Sequence, residues 1–141
     1  MKIFFDTNVY VAEAILGRAA ERMVEATRQA SWRIFCGDAV LDEVERVLTQ
    51  KLGFSRRLAL LTRNRILRRA RCVESGATFH AVPDDPSDSP ILSAAIVAGA
   101  DYLVTNDAHL LALNPYHGLR IISMNGYQQL LVREGLLTPE S

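Results

Sequence analysis

Short apolar runs alternate along the chain with longer stretches whose apolar residues recur every three or four positions. KIFF (2–5) is a strand-like run that Asp6 ends. From Val9 to about Ala30 the period is helical. Val11, Ala14 and Ile15, then Ala20, Met23, Val24 and Thr27, fall at i, i+3, i+4 spacings, and Gly17 divides the stretch into two helices. WRIFCG predicts a second strand, closed by Gly37. Asp38 caps the next helix, which carries Val40, Leu41, Val44, Val47 and Leu48 on one face and stops at Gly53. Ser55 caps another helix, with Leu58, Leu61, Ile66 and Leu67 inward and the arginines mostly outward. FHAV (79–82) predicts a third strand. DDPSDSP is a turn-rich loop whose Pro90 suits a first helical turn, and ILSAAIVAGA is a small-residue helix ended by Gly99. YLVT predicts a fourth strand, and Asn106–Asp107 opens a short helix, AHLLAL, broken by Asn114 and Pro115. LRIIS predicts a fifth strand, and Ser123 caps a last amphipathic helix to about Arg133.

Strands that alternate with helices imply a parallel sheet covered on both faces, here a three-layer α/β/α arrangement with five strands. The 141 residues suit a single domain spanning 1–141, and no repeat, low-complexity tract or linker divides it. Ligands of such folds bind outside the carboxyl ends of the strands, near a topological switch point. Each acid is therefore weighed by whether it follows a strand.

Composition narrows the classes. Hydrophobic residues at 49% and charged residues at 23% exclude disordered and fibrous chains. No apolar run approaches the roughly 18 residues of a membrane span. Asp6 interrupts the apolar start after Lys2, which is unlike a signal peptide. Cys36 and Cys72 fit no CxxC spacing and are expected as thiols in a reducing cytoplasm. The 16 basic and 16 acidic residues cancel, so bulk charge announces no nucleic-acid partner. Their distribution says more: all the basic residues but Lys2 and Lys51 are arginine. Arg56, Arg57, Arg63, Arg65, Arg68, Arg69 and Arg71 crowd into one segment, so a neutral protein can still present a basic face.

Four acids stand where a site would form. Asp6 follows the first strand, Glu43 lies one turn into the helix after the second, Asp88 opens the helix after FHAV, and Asp107 follows the fourth strand. Singly, each has a structural reading as a turn residue, an N-cap or a solvated helix position. Together they form a like-charge cluster that resists joint ionisation unless a cation is present. All-oxygen ligands suit Mg²⁺ or Mn²⁺ rather than zinc.

These residues carry a resemblance. FFDTNVYV, LDEVERVL and DDPSDSPILSAAIVAGADYLVTND resemble, in order and spacing, the PIN-domain ribonucleases. They are most similar to the VapC-like toxins of bacterial and archaeal toxin–antitoxin systems, and LDEVERVLTQKLGFS resembles one branch of PIN-family toxins. The resemblance covers nearly the whole chain. It implies the PIN-like α/β/α fold and Mg²⁺- or Mn²⁺-dependent hydrolysis of RNA that leaves a 5′-phosphate and a 3′-hydroxyl. It also implies a cytoplasmic protein with an antitoxin partner and a homodimer, for which the helices at 9–30 and 55–70 are candidate surfaces. Carried over, the catalytic metal ligands fall on Asp6, Glu43, Asp88 and Asp107. Asn8 and Thr105 orient Asp6, Asp107 or a metal-bound water. Asp84 and Asp85 compete with Asp88, Asp42 competes with Glu43, and Asn106 is a candidate helix cap. Arg56, Arg57, Arg63, Arg65, Arg68 and Arg69 are the candidate contacts to RNA or to a protein partner.

Other readings fare worse. A phosphoacceptor receiver domain needs a lysine after its last strand, where this chain has MNG. A haloacid-dehalogenase-type phosphatase needs DxD where this chain has DTN, and no GxGxxG or GKS occurs. The alternative that remains is a PIN-fold interaction module, weakly active or inactive, that binds RNA or a protein.

Overall fold

A computed structural model describes residues 1–15, 17–74, 86 and 89–139. Strand β1 (Lys2–Phe5) leads to α1 (Thr7–Ala14) and α2 (Arg18–Gln29). Strand β2 (Arg33–Gly37) leads to α3 (Asp38–Arg46), a π-helical turn (Val47–Lys51) and α4 (Arg56–Arg69). Then come β3 (Arg71–Val73), α5 (Ser89–Val97), β4 (Tyr102–Val104), α6 (Ala108–Leu111), β5 (Arg120–Ile122) and α7 (Met124–Arg133). The strands form one parallel sheet in the order β3-β2-β1-β4-β5. The chain winds outward from β1 to β3, then returns to β4 on the other side of β1. Right-handed crossovers therefore send α1–α4 and α5–α6 to opposite faces, which gives the three layers expected from the alternation. The direction reverses between β1 and β4, and that is the switch point.

As the central strand, β1 is buried on both faces, with Ile3, Phe4 and Phe5 fully enclosed. Phe5 meets Tyr10 of α1 and Tyr127 of α7 edge-on, at centroid distances of 6.0 and 5.7 Å. The Tyr127 hydroxyl lies 2.6 Å from that of Thr27 and ties α7 to α2. Ser55 and Ser123 cap α4 and α7 by accepting the N–H groups of Leu58 and Gly126.

Several expectations shift. The predicted FHAV strand lies outside the described residues, and β3 is instead RCV, directly after α4. Its side chains are exposed or half-buried on the sheet's edge, so no apolar pattern marks it. In α1 the buried side chains are Thr7, Val9, Tyr10 and Glu13 rather than Val11, Ala14 and Ile15. A buried glutamate breaks the apolar period there. In α4 only Ala59 and Ile66 are buried, whereas Leu58, Leu61 and Leu67 are 50%, 53% and 42% exposed. Asp38 is the first residue of α3 and accepts the N–H of Ala39.

Two glycines are required by close approach. A Cβ on Gly17, at the break between α1 and α2, would stand 2.3 Å from the carbonyl oxygen of Ala12. A Cβ on Gly37 would stand 2.9 Å from Cβ of Ala94, where α5 crosses the end of β2. Gly37→Ala is expected to cost about 1–3 kcal/mol through overpacking. The loss should appear as a lower urea midpoint at unchanged slope.

Candidate active site

The switch point builds itself from backbone outward. The N–H of Asp6 still bonds the carbonyl of Val104 at 3.0 Å, so the end of β1 is held to β4. Asp6 then becomes the N-cap of α1, and its Oδ1 accepts the N–H of Thr7 at 2.7 Å. Its Oδ2 accepts the Thr105 hydroxyl at 2.7 Å and the Asn8 amide at 3.3 Å. Thr105 Oγ1 in turn accepts from Asn8 Nδ2 at 3.2 Å and from the N–H of Asp107 at 3.0 Å. The Asn8 side-chain oxygen accepts the N–H of Asn106 at 3.3 Å. Asn8 and Thr105, expected to be orienting residues, thus bridge the two strands and aim Asp6. Asn106 caps neither strand nor α6. Its side-chain oxygen accepts the N–H of Met124 and holds the start of α7.

Asp107 is the N-cap of α6, and its Oδ1 takes the N–H groups of His109 and Leu110 at 2.8 and 3.2 Å. Its Oδ2 takes no hydrogen bond among the described residues. Glu43 is half-buried on α3 and also makes none. Asp42, its rival, is exposed and turned toward α4, where Arg63 lies 3.3 Å away. Asp84, Asp85 and Asp88 lie outside the described residues. His109 is half-exposed, with Nδ1 3.9 Å from Asp107 Oδ1.

Asp6 is only 3% exposed. Burial raises its carboxyl pKa to about 6, against the lowering effect of the bonds from Thr105 and Thr7, and the negative charges of Glu43 and Asp107 raise it further. Asp6 therefore feels the charges of acids from two other βα units at the carboxyl edge of the sheet. Among the described residues, no three His, Cys, Asp or Glu side chains are arranged to hold a metal ion by themselves. The donor set still has capacity. A carboxylate offers about four lone-pair sites, and Asp6 uses three. One on Oδ1, both on Asp107 Oδ2 and all of Glu43 remain. These hard oxygens fit Mg²⁺ or Mn²⁺, which fill the rest of their shell with water.

Thr105→Val keeps the volume and removes the hydroxyl. It is expected to raise the Asp6 pKa above its present value of about 6, because the strongest bond to the carboxylate is lost. A carboxyl-carbon NMR titration reads that shift directly. The stranded N–H of Asp107 should add a cost of about 1–3 kcal/mol to stability.

The arginine segment divides. Arg69 forms a two-pronged bridge to Glu13 of α1, with both N···O distances 2.8 Å and the two side chains 11% and 4% exposed. Arg65 approaches the same carboxylate at 3.6 Å, and Arg63 faces Asp42 and Glu45. Arg56, Arg57 and Arg68 are exposed. Sequence reasoning missed the Glu13–Arg69 bridge. Its one signal was an acid on the i+3 step from the buried Tyr10.

Fold and site together define a class: a doubly wound parallel domain with a buried carboxylate at its switch point. The chain belongs to the PIN-domain family, whose model matches residues 2–109. That span includes Asp6, Glu43 and Asp107 and ends before β5. Among solved structures, the fold is similar to a chain in the crystal structure of VapBC2 from Rickettsia felis bound to a DNA fragment from their promoter. The TM-score is 0.66 at 18% identity, over 87% of this chain and 98% of that one. No curated protein matches the chain in sequence. Among the described residues, no helix is long and apolar enough to cross a membrane.

Proposed function

We propose that the chain is a metal-dependent endoribonuclease and the toxin half of a toxin–antitoxin pair acting in the cytoplasm. Membership of the PIN-domain family supports nuclease chemistry. The likeness in fold to VapBC2 of Rickettsia felis supports the pairing with an antitoxin. The observation that carries the reading is Asp6, a buried acid at the tip of the central strand whose pKa is raised to about 6 with Glu43 and Asp107 contributing. Asp6 has no ion-pair partner among the described residues, and the site keeps unspent carboxylate oxygens.

Asp6, Asp107 and Glu43, joined by Asp88, would hold Mg²⁺ or Mn²⁺. The bound cation supplies a Lewis acid for the phosphodiester and lowers the pKa of the attacking water. The chain's own residues do the positioning. Thr105 and Asn8 fix the Asp6 carboxylate, and the first turn of α6 fixes that of Asp107. Arg56, Arg57 and Arg68 offer exposed guanidinium groups to the RNA backbone or to the antitoxin. A homodimer is part of the same proposal. The alternative, a weakly active interaction module, draws on the lack of a three-acid metal group among the described residues.

The products decide between them. Incubation of RNA with the protein and Mn²⁺ is expected to give fragments bearing 5′-phosphate and 3′-hydroxyl ends, with none formed in the presence of EDTA. RNA left intact under both conditions would favour the interaction module.

A further inference from the structure

Along the amino edge of the sheet, four of the five strands begin on a basic residue, whereas β4 is preceded by Asp101, whose Oδ2 accepts the N–H of Lys2. Lys2, Arg33, Arg71 and Arg120 are the first residues of β1, β2, β3 and β5. Between β2 and β3 this edge opens into a pocket of about 340 Å³ lined by Trp32, Arg33, Ile34, Phe35, Arg69 and Arg71. Arg33 alternates onto the same face as Phe35, and Phe35 is level with Arg71 on the neighbouring strand, so both guanidinium groups rise on one side of the sheet. Glu13 already neutralises Arg69. Arg33 and Arg71 are exposed, and among the described residues neither side chain has an acidic or hydrogen-bonding partner. Two like charges that share a pocket without a counter-ion favour an anionic ligand. Trp32, half-buried against the core, adds an aromatic wall.

We propose that this pocket binds a nucleotide unit of single-stranded RNA, with its phosphate on Arg33 and Arg71 and its base against Trp32. Guanidinium forks suit phosphate oxygens, and an indole accepts any base by stacking. The volume falls at the small end of ligand pockets, enough for one nucleotide rather than a folded partner. Arg33 is level with Lys2, and Asp6 lies four residues further along the chain, so the pocket and the carboxylates stand at opposite ends of the sheet, at least about 13 Å apart. The pocket would hold RNA several nucleotides away from the cleaved bond. The choice of RNA as ligand rests on the ribonuclease reading; the anion site itself does not.

Trp32 is the chain's one tryptophan, so its fluorescence reports on the pocket alone. The test uses Asp6→Asn protein without metal, titrated with a ten-residue oligoadenylate, with AMP and with polyglutamate. Oligoadenylate is expected to quench Trp32, with an affinity that falls as salt rises. Arg33→Gln and Arg71→Gln should each weaken it at least tenfold, and AMP should bind more weakly than the ten-mer. The proposal is overturned if the ten-mer leaves the emission unchanged or if both arginine variants bind as well as the parent. Tighter binding of AMP would assign the pocket to a free nucleotide, and equal quenching by polyglutamate to an acidic polypeptide; either result also overturns it. Cleavage of total RNA by wild type with Mn²⁺ reports separately on the ribonuclease reading. In that assay Arg33→Gln should raise KM and leave kcat unchanged.

Discussion

Asp6→Asn is expected to abolish RNA cleavage while making the metal-free protein more stable at pH 7.5. The Asp6 pKa rises from 3.8 in the unfolded chain to about 6 in the fold. Between those values the folded state holds more protons than the unfolded one, so stability falls as pH rises through this window. The contribution is fully present below about pH 4 and fully lost above about pH 6. A shift of that size corresponds to a penalty on the order of 3 kcal/mol for the ionised wild type. Asparagine carries no charge and escapes it. Part of the gain is forfeited, because an amide nitrogen replaces either Oδ1, which accepts from Thr7, or Oδ2, which accepts from Thr105 and Asn8. A net stabilisation of about 1–2 kcal/mol is expected, read by urea melts at pH 7.5 and vanishing near pH 4. Added Mn²⁺ should reverse the order by stabilising wild type alone. A substitution that stabilises the fold and removes activity is the mark of a residue kept for function.

Glu13→Ala is expected to be the most destabilising single change, at about 3–5 kcal/mol. It strands the Arg69 guanidinium, 11% exposed, where both of its prongs had a carboxylate oxygen at 2.8 Å. For a domain of this size the loss lowers Tm by roughly 10 °C or more. The double variant Glu13→Leu/Arg69→Met removes both charges and should recover most of that loss, because two apolar side chains of similar volume carry no desolvation penalty. A double-mutant cycle on the thermal melts gives the coupling directly. Additive effects would mean that the bridge contributes nothing, and Arg69 would return to the pool of arginines available for RNA.

Much of the architecture was legible where burial and period agree. β1 and β2 are apolar because they lie in the middle of the sheet. Ser55 and Ser123 announce their helices because an N-cap hydroxyl satisfies backbone donors whatever surrounds it. The edge strand β3 was not legible, since an exposed three-residue strand has no inner face to pattern. The phase of α1 was misread because Glu13 occupies a core position, which no hydrophobic period marks; Arg69, 56 residues away, with Arg65 beside it, makes it tolerable. The leucines of α4 were assigned inward because the sequence does not say which of two apolar flanks meets the domain. At the site, Asp6 and Asp107 were legible from their places after strands. The lacing of Asp6 through Thr105 and Asn8 was expected as orientation, but its hydrogen-bond pattern depends on β1 and β4 being neighbours. That adjacency belongs to the topology and is not written in any local stretch. Asp88, expected as the fourth ligand, lies outside the described residues and stays a proposal from the resemblance.

The most direct test of the central claim is the rate of RNA cleavage with Mn²⁺, measured side by side for wild type and Asp107→Asn. Asp107 shares no bond with Asp6 except through Thr105, and its caps of His109 and Leu110 survive in asparagine. The variant should therefore keep its fold. Wild type is expected to cleave only with the metal present, and Asp107→Asn should lose at least about 10²-fold in rate, the scale of removing one charge-stabilising group from an active site. Equal rates in the two proteins, or cleavage by wild type that EDTA leaves untouched, would contradict the account.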